Sequence, residues 1–103
     1  GLSHIIDTSK HSNIVGGIEN LVYTSPASHI GGGSGHTITN GTYSTYTSLI
    51  GGGRDNVISA STDSFIGGGD TNLISTYGAK GNIIGGGTGH IITASQGHAT
   101  VSN

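Results

Sequence analysis

A fixed spacing between aliphatic residues and glycine triplets governs this chain. Ile30 is followed by Gly31, Gly32 and Gly33, Ile50 by Gly51, Gly52 and Gly53, Ile66 by Gly67, Gly68 and Gly69, and Ile84 by Gly85, Gly86 and Gly87. Ile14 with Val15, Gly16 and Gly17 is a worn copy. Eight residues after each anchor stands a second β-branched residue: Val22, Ile38, Ile58, Ile74 and Ile92. Two residues before each second anchor stands Asn20, His36, Asn56, Asn72 or His90. A period of this kind is the signature of a solenoid, in which each repeat buries its apolar face only against its neighbours.

The return from second anchor to next first anchor takes 8, 12, 8, 10 and 9 residues. One side of the coil is therefore a fixed corner, and the other is a loop that absorbs insertions. Both termini carry half a repeat, since His4, Ile5 and Ile6 match the back of a coil and Val101, Ser102 and Asn103 match the front of another. Read tail to head, these segments restore the eight-residue spacing. The expectation is end-to-end stacking with copies of itself, or excision from a longer array. The lack of Met and the start at Gly1 point equally to processing.

The spacing predicts an all-β chain: one domain over residues 1 to 103, a parallel β-solenoid of about six coils. Side chains alternate across a strand, so the anchors share the inward face. One core ladder is Ile14, Ile30, Ile50, Ile66, Ile84 and Val101. The other is Ile6, Val22, Ile38, Ile58, Ile74 and Ile92. The glycine triplets suit a corner needing positive φ or close backbone approach. Asn20, Asn56 and Asn72 either take the left-handed conformation at that corner or stack as an inward amide ladder.

Outward positions would face water in a lone solenoid, yet they hold Leu21, Leu49, Val57, Phe65, Leu73, Ile83 and Ile91. Apolar residues on both faces of a strand call for burial on both sides. A coil of 16 to 20 residues cannot cover both, so other copies of the chain are the expected partners.

Composition limits the rest. Gly contributes 21 residues, 31% of the chain is apolar and 8% is charged, values that would suit disorder if the periodicity did not argue for order. A formal charge of −2 offers no field for nucleic acid or anionic lipid, and no apolar run approaches the roughly 20 residues of a membrane span. Without Cys there are neither disulfides nor thiolate metal sites.

The motif aliphatic, Gly-Gly-Gly, two variable residues, Asn, one residue, Ile, Ser, seen from Ile50 to Ser59 and from Ile66 to Ser75, resembles the head repeats of trimeric autotransporter adhesins and the related glycine-rich repeats of phage and large-virus fibre proteins. The likeness covers nearly the whole chain. It implies a left-handed β-roll in a homotrimer, intertwined or side by side, exposed outside the cell on a virion or cell surface and touching a host receptor or glycan. Coils of 16, 20, 16, 18 and 17 residues are longer and less even than those of adhesin heads.

Little in the chain suggests chemistry, and the expectation is a non-enzyme with no cofactor, no metal and no catalytic residues. His4, His36 and His90 share the position of the corner asparagines, which favours hydrogen bonding over metal ligation. His11, His29 and His98 fall near the returns, and three copies of His29 on an axis would form an ion or pH site. The Asp of calcium-binding nonapeptide repeats is missing after Gly35 and His36. Asp7, Glu19, Asp55, Asp63 and Asp70 are the whole supply for a glycan-cleaving tailspike, the first alternative, which needs two carboxylates held together. An ice-binding solenoid, the second, needs regular Thr ranks, and Thr37, Ser59, Ser75 and Thr93 do not supply one. Tyr43, Tyr46 and Tyr77 in the longest returns are candidate glycan contacts, and Asn40, Gly41 and Thr42 form an N-glycosylation sequon.

Overall fold

The computed structural model describes residues 4–7, 11–25, 27–39, 47–76, 81–93 and 100–101. Tyr43, Tyr46, Tyr77, His98 and the Asn40 sequon lie outside the described residues. Pairs and triplets that each contain a β-branched residue, set between turn residues, make short strands, and every described strand is parallel to its neighbours. One sheet runs β1 (Ile5–Asp7), β3 (Leu21–Tyr23), β5 (Thr37–Thr39), β7 (Val57–Ser59), β9 (Leu73–Ser75) and β11 (Ile91–Ile92). The other runs β2 (Asn13–Ile14), β4 (His29–Ile30), β6 (Leu49–Ile50), β8 (Phe65–Ile66), β10 (Ile83–Ile84) and β12 (Thr100–Val101). The chain alternates between the sheets, which makes it a parallel β-solenoid.

Six strands per sheet close about five turns, one fewer than the repeat count suggests, because anchors mark strands and a turn lies between two of them. A third, one-residue-wide ladder of parallel bridges links Ile18, Ser34, Arg54, Asp70 and Thr88 along the glycine corner.

Register puts like on like. Val22 pairs with Ile38, Ile38 with Ile58 and Ile58 with Ile74, while Ile30 pairs with Ile50 and Ile50 with Ile66. These seven side chains have no exposed surface, nor does Ile84. Burying each contributes about 1.5 to 3 kcal/mol, which makes the aliphatic ladders the main apolar term. The ends differ. Ile6, in the edge strand β1, is 44% exposed, and Ile14, in the edge strand β2, is half-buried.

Both corners are built alike. Glu19, Gly35, Asp55, Thr71 and Gly89 have positive φ three residues before the second anchors. His11, Ala27, Thr47, Asp63 and Gly81 have positive φ three residues before the first anchors. Left-handed backbone on a non-glycine residue costs about 1 to 2 kcal/mol, so each such turn must be held by bonds made from its neighbouring residues.

Candidate functional site

An inward polar residue succeeds each left-handed position. Of the two roles left open for Asn20, Asn56 and Asn72, the structure has the inward ladder, and the left-handed conformation falls one residue earlier. Nδ2 of Asn56 donates to the carbonyls of Gly52 (3.0 Å) and Gly69 (3.1 Å), tying its own coil to the next. Nδ2 of Asn20 and of Asn72 make the same two bonds, to Gly16 and Gly33 and to Gly68 and Gly87. Each Oδ1 accepts the backbone amide at the same position one coil on: His36 N to Asn20 at 3.0 Å, Asn72 N to Asn56 at 2.9 Å, His90 N to Asn72 at 2.9 Å. His36 substitutes in kind, its Nδ1 accepting Asn56 N at 3.1 Å.

The opposite corner carries a second polar ladder that sequence reasoning misses. Ser28 N donates to Ser12 Oγ (3.1 Å), Ser48 N to Ser28 Oγ (3.2 Å) and Ser64 N to Ser48 Oγ (3.4 Å). Asn82 holds the same position one coil on, and its Nδ2 donates to Ser61 Oγ at 3.3 Å. The signal is present, since Ser12, Ser28, Ser48, Ser64 and Asn82 each stand two residues before a first anchor, the same offset as the Asn and His row. Serine in a chain crowded with Ser and Thr reads as loop, which hides it.

The glycine triplet is not needed uniformly. A Cβ on Gly51 would meet the Gly67 carbonyl of the next coil, and one on Gly53, where φ is 94°, would meet the backbone of Gly69. A Cβ on Gly52 would meet nothing within 4 Å.

The outward faces are the candidate functional surface. On the first sheet the register aligns Ile5, Leu21, Thr37, Val57, Leu73 and Ile91 in one row, apolar at every position but Thr37. Ile5 is 55% and Ile91 62% exposed, and Leu21, Val57 and Leu73 are half-buried. On the second sheet the row is Asn13, His29, Leu49, Phe65, Ile83 and Thr100, with Leu49 and Ile83 exposed and Phe65 half-buried. The seven outward residues expected from the sequence thus fall into two rows on different sheets. Within the single chain, none of them is fully buried.

His29, Leu49 and Phe65 also line an open groove of about 370 Å³ together with the corner residues Ala27, Thr47 and Asp63. His29 is flanked in its row by Asn13 and Leu49. No group of three His or acidic side chains comes together among the described residues. Glu19 and Asp55 occupy the same left-handed corner position, Asp63 the opposite corner, and Asp70 the bridge row. There the Arg54 guanidinium binds the Asp70 carboxylate and, with the Thr71 hydroxyl, holds its pKa below the ordinary value. The outer row Asp7, Tyr23, Thr39, Ser59 and Ser75 is no regular rank of threonines.

Searches against family models, curated proteins and solved structures return no match to this chain.

Proposed function

We propose that this chain is a structural segment of an extracellular fibre, carried on a virion or cell surface, that assembles with copies of itself as a homotrimer. It acts by shape and adhesion rather than by catalysis, and offers a host glycan or receptor the loops and groove left free by assembly. The observation that supports this reading is the outward row of the first sheet, apolar at Ile5, Leu21, Val57, Leu73 and Ile91 in register along the solenoid.

A row of this kind left in water forgoes burial worth on the order of 1.5 to 3 kcal/mol per large side chain. Cover from an identical row satisfies every coil at once, since symmetry gives each copy the same surface. Sparse charge leaves little to oppose the approach. Sedimentation equilibrium tests the proposal. It predicts a species of three times the 10.2 kDa chain mass, and a single-chain mass across the concentration range contradicts it.

A further inference from the structure

Imidazole and carboxamide are not equivalent rungs in the inward ladder. Asn56 presents an oxygen that stays an acceptor at any ordinary pH and an amide with two hydrogens for two carbonyls. His36 presents Nδ1 as the acceptor, which requires the neutral ring with its hydrogen on Nε2. Nε2 is buried and makes no hydrogen bond of ordinary geometry, although the carbonyls of Gly53 and Gly32 lie near enough to bear on the ring. His36 has no exposed surface.

We propose that His36 is an acid-labile rung: a proton taken up at Nδ1 sets an N–H against the N–H of Asn56, breaks the bond between these two coils and opens the solenoid there. This inference rests on the fold alone and is independent of the fibre reading.

The surroundings give the sign. Burial lowers the His36 pKa from its ordinary 6.5, and the attraction of Asp55 on the next coil together with the neighbouring carbonyls does not make up the difference. The charged groups near this rung are Asp55 and Arg54 before Asn56 on the coil above, and Glu19 before Asn20 on the coil below. An unfolded chain takes up the proton as pH falls below about 6.5, and the folded chain resists it. The stability held above that pH is therefore lost progressively as pH falls toward the folded value. Solenoid stability is a sum of neighbour interfaces, so the loss concentrates at one interface.

The test is His36→Asn, which installs the residue found at this position in three other coils. Unfolding midpoints are measured by circular dichroism at about pH 7.5 and about pH 5. The parent's midpoint falls on acidification, and the variant's falls by less than half as much. The other five histidines are common to both proteins, so the difference belongs to His36. Equal falls overturn the proposal. Should the variant fail to fold, nitrogen chemical shifts of the parent's His36 ring decide. The proposal requires the Nε2-protonated neutral tautomer at neutral pH and, on acidification, exchange of the Asn56 amide accelerating about tenfold relative to that of Asn72. A charged His36 in a folded chain with Asn56 still protected overturns it.

Discussion

The backbone amide of Asn72 donates to Oδ1 of Asn56 at 2.9 Å, one coil away, although the two residues are 16 positions apart in the chain. The same Asn56 side chain gives its two Nδ2 hydrogens to the carbonyls of Gly52 and Gly69. One carboxamide thus satisfies three backbone groups at a corner where the strands have ended and cannot. Buried backbone groups left without partners cost about 1 to 3 kcal/mol each, so the ladder is what permits a turn this tight to be buried.

Asn56→Ala should therefore destabilise the chain by at least about 3 kcal/mol, well beyond the loss of one surface hydrogen bond. Asn56→Asp should also be costly, since it keeps the acceptor and removes both donors. Urea unfolding of the two variants checks this, and a loss under about 1 kcal/mol for Asn56→Ala contradicts it.

Within one triplet, three substitutions by alanine should separate. Gly52→Ala meets open space and is expected to be near neutral. Gly51→Ala collides with the carbonyl of Gly67, and Gly53→Ala adds left-handed strain to a collision with Gly69. Each of these two should cost about 2 kcal/mol or more. Thermal unfolding of the three variants provides the comparison.

Ser48→Ala removes the acceptor of the Ser64 amide in the second ladder. The expected loss is about 1 to 3 kcal/mol, because the amide stays buried. Ser59→Ala, on the outer face of the same coil, should change stability by under about 0.5 kcal/mol. Chemical denaturation of the pair distinguishes a ladder from a loop.

Leu73→Lys sets a charge in the outward row of the first sheet, between Val57 and Ile91. If the proposed homotrimer forms through this row, the variant should keep its far-ultraviolet circular dichroism and fall to single-chain mass, because the burial of a large side chain is replaced by an ammonium that must stay in water. Gel filtration with light scattering reads the mass. Thr93→Lys, at an exposed position just past β11, serves as the control.

The architecture was legible because Ile30, Ile50 and Ile66 keep one distance to Ile38, Ile58 and Ile74, and equal distances survive only where coils stack in register. The corner was legible at half resolution. The row of Asn20, His36 and Asn56 stood out, since the same two residue types recur two positions before every second anchor. Its serine counterpart did not, and nor did the left-handed positions, because Glu19, Asp55 and Thr71 are held in that conformation by the ladder beside them rather than by their own preference. The outward rows were legible as apolar residues, but their division between two sheets required the register.

The account depends on parallel stacking in one register, and nuclear Overhauser contacts around Ile58 test it most directly. The Ile58 side chain should show contacts to both Ile38 and Ile74, with the backbone of Val57 near that of Leu73. Contacts that pair Val57 with Ser75 and Ser59 with Leu73, the pattern of an antiparallel hairpin, would contradict it.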